Sequence, residues 1–177
     1  VNLSSSAAGT NGTLDICSDD NVVDLMTMLG GAPSIGGTWT DPLLNPFSGN
    51  YDPSADPSGV YTYTVLGTPP CPDASATVTV TLQTAPDGGI TMFITLCDVG
   101  PLTNLFDSLG GTPDVGGTWT DPGGNPHSGI FDPSTDPIGP YSYTVTGIAP
   151  CDDVGSKVVV SLSSGLDPGL DGAISFC

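Results

Sequence analysis

The sequence predicts an all-β chain of tandem β-sandwiches, each carrying one short helix. Three observations carry that expectation. The stretch Gly36-Gly37-Thr38-Trp39-Thr40-Asp41-Pro42 recurs as Gly116-Gly117-Thr118-Trp119-Thr120-Asp121-Pro122, a gapless offset of 80 residues. The composition is rich in Gly (25 residues), Pro (18 residues), Thr and Val and poor in helix formers, which suits strands joined by tight turns. Several short segments alternate apolar and polar residues, as half-buried strands do.

The period sets the domain boundaries. Residues 1–10 read as a linker or the end of a preceding repeat, 11–83 as the first sandwich and 84–163 as the second. Residues 164–177 match the start of a third, truncated copy. Each unit is small and buries a modest fraction of its surface, so a covalent or metal staple is expected.

Within each copy the elements follow in order. Leu14 and Ile16 alternate with polar neighbours as a first strand, matched by Ile94 and Leu96, and by Ile174 and Phe176 at the third copy. Val22, Leu25, Met26 and Leu29, then Gly30, have the spacing of one apolar helix face with a stop. Leu102, Leu105, Phe106, Leu109 and Gly110 repeat it, with Pro101 suited to a first turn. The strand around Trp39 comes next, its indole expected in the core. The segment Asp52-Pro53 to Asp56-Pro57 holds too much proline for a central strand and reads as loop or edge. Tyr61, Tyr63 and Val65 then share one strand face, as do Val78, Val80 and Leu82; Tyr141, Tyr143, Val145, Val158, Val160 and Leu162 answer them.

The charge is one-sided. All 19 acidic residues are Asp, Lys157 is the sole basic side chain, and the formal net charge is −18. Nothing in such a chain neutralises phosphates, which excludes a nucleic-acid partner and an anionic membrane surface. No apolar run is long enough to span a bilayer as a helix, so no membrane insertion is expected of this segment.

The run from Cys97 through Leu105, Gly110-Gly111, Gly116-Gly117-Thr118-Trp119 and Tyr141-Ser142-Tyr143-Thr144-Val145 to Cys151 and Val158 resembles the tandem immunoglobulin-like repeats of large surface and adhesin-type proteins of Bacteroidota-like bacteria. The resemblance covers essentially the whole chain. It implies immunoglobulin-like sandwiches and an extracellular or cell-surface, non-catalytic role, and it names no ligand.

The five cysteines keep the period: Cys17, Cys97 and Cys177 are early in their copies, Cys71 and Cys151 late. Two pairings respect it. Cys17–Cys71 with Cys97–Cys151 closes each sandwich on itself; Cys71–Cys97 with Cys151–Cys177 joins neighbours. The first is the expectation, because the second and sixth strands of an immunoglobulin-like order run towards the same end. Such bonds imply an oxidising compartment.

Chemistry is sought next. His127 is the only histidine and takes the place of Phe47, so packing is expected of it rather than acid–base work, and no enzyme is expected. Lys157 is matched by Thr77 at the same position of the other copy, which argues against an isopeptide bond common to both repeats. The oxygen-rich loops are a candidate calcium site. Asp41, Asn45, Asp52 and Asp56 in the first copy, and Asp121, Asn125, Asp132 and Asp136 in the second, supply the ligand types, and the missing counter-charge favours a cation. The alternative stays open that these carboxylates only cap their own turns. The expected function is structural: repeats of an extracellular fibre or stalk whose partners are copies of itself, end to end, rigidified by disulfides and calcium. The alternative is an adhesin module holding a surface glycan or a host protein in its loops.

Overall fold

The structure, a computed structural model, describes residues 7–164, so the truncated third copy and Cys177 lie outside the described residues. It divides into two units. The first runs to Ala85 and also includes Gly147–Asp152; the second comprises Pro86–Thr146 and the chain from Asp153. Residues 7–10 belong to the first unit's body: Ala8 is buried and the Thr10 N–H donates to the Gly30 carbonyl at 2.9 Å.

In the first unit the strands are β1 (Gly12–Cys17), β2 (Val23–Asp24), β3 (Thr38–Thr40), β4 (Pro46–Phe47), β5 (Asn50–Tyr51), β6 (Gly59–Val65) and β7 (Ala74–Gln83). They form a five-stranded sheet in the order β1-β7-β6-β3-β4 and a two-stranded ribbon, β2-β5. All pairings are antiparallel except β1 with β7, which is parallel and sets Cys17 opposite Gln83. The prolines fall where a missing N–H costs least: Pro46 sits in β4, the sheet's edge.

Alternation decides what faces inward. Tyr61, Tyr63 and Val65 of β6, with Ala76, Val78 and Val80 of β7, point into one core with Leu25, Trp39 and Tyr51. Tyr51 brings the ribbon onto the sheet, its ring edge-on to Tyr61 at 5.6 Å. Trp39 sits 5.1 Å from the Tyr63 ring, so the indole fills the core as the sequence implies. Beside it the Tyr63 hydroxyl accepts from the Gly37 N–H at 2.8 Å and donates to the Ser34 carbonyl at 2.7 Å. A Cβ on Gly37 would lie 2.5 Å from that ring, which accounts for the second glycine of the Gly-Gly-Thr-Trp motif.

The second unit repeats the plan with β8 (Met92–Cys97), β9 (Thr103–Asn104), β10 (Thr118–Thr120), β11 (Pro126–His127), β12 (Ile130–Phe131), β13 (Gly139–Val145) and β14 (Val154–Ser163). Its sheet order is β11-β10-β13-β14-β8 with the ribbon β12-β9, and β8 lies parallel to β14. Leu105, Trp119, Phe131, Tyr141, Tyr143 and Val158 are central to its core.

The expected helices are only 3₁₀ turns, Leu25–Met28 and Phe106–Ser108. Most of the apolar stripe is used as expected: Leu25, Leu29 and Leu105 are buried and Met26, Phe106 and Leu109 pack half-buried against the cores, whereas Val22 and Leu102 are exposed. The reason is competition from sheet pairing. Val23 and Asp24 pair with Tyr51 and Asn50, which takes the would-be first turn into a ribbon. The Asp24 carboxylate then accepts from the Met26 N–H at 2.9 Å and starts the shorter turn.

Candidate functional site

Two features invite a functional reading: the acidic loops and the cysteines. In the first loop the Asp41 carboxylate accepts from the N–H groups of Leu43 and Asn45 at 2.9 and 2.8 Å, and from the Asn45 amide at 3.0 Å. The second loop is tied in the same style. Asp52 accepts from the Ser54 N–H and hydroxyl at 2.9 and 2.7 Å, while Asp56 accepts from the Asp52 N–H at 2.8 Å. Asp121 with Asn125, Asp132 with Ser134, and Asp136 with the Asp132 N–H reproduce these contacts in the second unit.

These bonds favour the ionised carboxylates. The Asn45 amide, joined by backbone N–H groups, holds Asp41 below the ordinary carboxylate range; Ser54 does so for Asp52, Asn125 for Asp121 and Ser134 for Asp132. Burial raises the neighbouring Tyr61 phenol, with Asp56 adding to the effect, and pushes Tyr141 up to about 12.

The predicted ligands therefore gather as local pairs, Asp41 with Asn45 and Asp52 with Asp56. Among the described residues, the one group of three His, Cys or Asp side chains with ligand atoms within 4.8 Å of one another is Cys17, Asp19 and Cys151. Its two sulfurs are spent in a covalent bond. His127 does occupy the Phe47 position as a packing residue, its ring 4.8 Å from Tyr141 where Phe47 lies 4.7 Å from Tyr61. Its Nδ1 accepts from the Gly129 N–H at 3.0 Å, which leaves Nε2 to face Asp136 at 3.4 Å.

The cysteines correct the sequence expectation. The bond formed is Cys17–Cys151, with Cα atoms 5.0 Å apart, and Cys71 and Cys97 are free thiols. Neither Cys17–Cys71 nor Cys97–Cys151 exists. The physical reason is the parallel β1–β7 pair. Cys17 ends beside Gln83, the last residue of β7, whereas Cys71 precedes Ala74, the first. A ten-residue strand spans roughly 30 Å, far beyond disulfide reach. The second unit has the same arrangement, with Cys97 opposite Ser163 and Cys151 ahead of Val154.

Cys151 belongs to Gly147–Asp152, the segment that joins the first unit. There its sulfur lies 3.7 Å from the Gln83 carbonyl, and a cleft of about 260 Å³ beside the bond is lined by Asp15, Thr81, Gln83, Ala149 and Pro150.

The spacing of residues also left one fold marker unread. The Tyr61 hydroxyl donates to the Pro57 carbonyl at 2.7 Å, and Tyr141 does the same to Pro137. A tyrosine bonded to backbone a few residues upstream at the start of a late strand is the tyrosine corner of immunoglobulin-like domains. With the sheet order and the buried tryptophan, it defines the class: immunoglobulin-like β-sandwiches repeated along one chain.

One solved structure agrees in fold. The I-band fragment I67-I69 from titin is similar at a TM-score of 0.51 and 14% identity, and the match covers 88% of this chain and 64% of that one. A second, the 3Ig structure of titin domains I67-I69 in an E-to-A mutated variant, gives a TM-score of 0.48 at 14% identity with the same coverage. The chain thus spans 64% of the length of either fragment, and at this identity the likeness concerns the fold. No protein-family model matches the sequence, and no curated protein matches it.

Proposed function

We propose that the chain is a structural repeat segment of an extracellular fibre or surface stalk. The observation that carries this reading is the Cys17–Cys151 bond, which ties an early cysteine of one sequence repeat to a late cysteine of the next. Such a bond serves continuity along a chain of repeats and suits an oxidising compartment. The two copies agree in strand order, core aromatics and loop contacts, which favours a repeated mechanical element over a single specialised site. The role is non-catalytic, and His127 fits it as a packing residue held by Gly129 and Asp136.

Calcium enters this proposal as the counter-cation of the acidic loops, with Asp41, Asn45, Asp52, Asp56 and their counterparts as ligands. Its support is the charge imbalance of 19 Asp against one Lys. The carboxylates also have structural work in their own turns, so removal of calcium should soften the loops without unmaking the fold. The test is thermal melting and electron microscopy of the oxidised protein with and without EGTA. Fibres with a melting temperature lowered by the chelator support both parts; an unchanged melting temperature removes calcium.

One observation favours the adhesin alternative. Leu43 and Leu44 are exposed at a loop tip, and Leu44 holds φ at +66° where the second copy has Gly124. An apolar, left-handed tip in one copy suits a protein ligand. Dispersed monomers that bind a host protein or glycan saturably would replace the fibre reading with this one.

A further inference from the structure

We infer that the cleft beside Trp119 in the second unit is a binding site for the acetamido group of a neutral N-acetylhexosamine. The site lies wholly within that unit and does not depend on the fibre reading, since a stalk repeat can carry it or lack it.

An unpartnered donor supplies the first argument. Trp119 is 7% exposed, and its indole N–H has no acceptor among the described residues. Every described side-chain nitrogen or oxygen sealed from solvent does have a partner, so this N–H opens outward. It opens at a cleft of about 260 Å³ that the indole lines together with Phe106, Val115, Ser128 and Tyr143. The Cδ1–Nε1 edge of the ring passes Gly129, where a Cβ would come within 2.8 Å of Nε1, and so lies next to Ser128 of the lining. A tryptophan buried to this degree ordinarily gives its N–H to an acceptor. A bound ligand supplies the one that the protein does not.

The lining sets the polarity of that ligand. The Ser128 hydroxyl oxygen accepts from the Ile130 N–H at 3.1 Å, while its own O–H has no acceptor among the described residues. Asn104, also in the lining, gives one amide hydrogen to Asp107 at 3.1 Å and keeps the other. The cleft therefore presents donors and no ionised side chain. A cation would meet N–H and O–H groups, and an anion would face the field of a chain of net charge −18. A neutral acceptor fits.

Size and walls narrow the choice. The volume lies just under the ~300–1,000 Å³ of pockets for larger ligands, which suits a single sugar ring and would be overrun by an extended peptide. Phe106 stands edge-on to Tyr143 at 5.4 Å and, with the exposed Val115, makes an apolar wall for the acetamido methyl. The Trp119 N–H beside it serves the acetamido carbonyl, and Ser128 and Asn104 serve ring hydroxyls. By the 80-residue period the first unit has Met26 for Phe106 and Asp24 for Asn104, an aliphatic wall and a carboxylate, so the site belongs to the second copy.

The test titrates the isotope-labelled full chain with methyl N-acetylglucosaminide and methyl N-acetylgalactosaminide while following the indole N–H resonances of Trp39 and Trp119, assigned with Trp39→Phe. At least one sugar should move the Trp119 resonance downfield and saturably, with Trp39 unmoved. Methyl glucoside, which lacks the acetamido group, should shift it at least tenfold less at the same concentration. Val115→Tyr, at a solvent-exposed position, and Ser128→Ala should each weaken binding at least tenfold with an unchanged circular dichroism spectrum. The inference is overturned by the lack of a saturable Trp119 shift with either acetamido sugar, by an equal shift with methyl glucoside, or by binding that survives in both variants. Tighter binding of N-acetylalanine methylamide than of either sugar would overturn it in favour of a peptide ligand. Fibres seen by electron microscopy bear on the fibre reading alone.

Discussion

Gly36 and Gly49 share a φ of +93° and differ in what surrounds them. A Cβ on Gly49 would lie 2.8 Å from Cδ1 and from Nε1 of Trp39, whereas one on Gly36 meets nothing within 4 Å. Either alanine substitution incurs a left-handed backbone penalty of roughly 1–2 kcal/mol. Reduced freedom of the unfolded chain offsets about 0.4–1 kcal/mol of it. Both terms cancel when the two variants are compared. Gly49→Ala alone has to push against the buried indole, at an overpacking cost of about 1–3 kcal/mol. Its melting temperature should therefore fall below that of Gly36→Ala by roughly 4–24 °C. The assay is thermal unfolding followed by Trp39 fluorescence in a Trp119→Phe background, with a guanidinium titration alongside. Equal stability of the two variants would show that Trp39 is not seated against Gly49 and would refute the packing account. The same contrast is expected between Gly116→Ala and Gly129→Ala, since a Cβ on Gly129 would lie 2.7 Å from Cδ1 of Trp119 while one on Gly116 would meet nothing within 4 Å.

Three further outcomes are expected. Replacing Cys17 and Cys151 by serine opens a loop with a sequence separation of 134 residues, worth roughly 5 kcal/mol in the chain-entropy model, and should lower the guanidinium midpoint accordingly. At alkaline pH, burial raises the Tyr51, Tyr61 and Tyr141 phenols, the last to about 12, so the folded state keeps protons that the unfolded state releases near its ordinary value of 10.0. Stability is accordingly complete below that ordinary value and falls as pH rises through the folded values, read as a melting temperature that declines from about pH 10 upward. Leu44→Gly should relieve the strain at φ +66° and raise first-unit stability by about 0.5–1 kcal/mol, measured in the same fluorescence assay, since Gly124 holds that turn without penalty in the second unit.

The sequence discloses a good deal of this fold, because alternation and repetition are local properties. Tyr61, Tyr63 and Val65 on one face of β6, and Trp39 in the core, follow from residue spacing alone. Strand partners are non-local. Nothing in the spacing of Leu14 and Ile16 shows that β1 lies parallel to β7, and that pairing places Cys17 far from Cys71. The helical stripe failed for a related reason: Val23 and Asp24 gain more from pairing with β5 than from one further turn. The acidic loops were legible as turns, since Asp41 and Asp52 bond to N–H groups two residues on, the usual preference of this side chain.

The Cys17–Cys151 bond carries the structural reading of this chain, and its connectivity is directly measurable. The oxidised monomer would be alkylated without reduction, digested with a protease that cleaves at aspartate, and mapped by mass spectrometry. The account predicts a peptide pair joining Cys17 to Cys151, with Cys71 and Cys97 both carrying the alkyl label. Recovery of Cys17 joined to Cys71, or of Cys97 joined to Cys151, would contradict it.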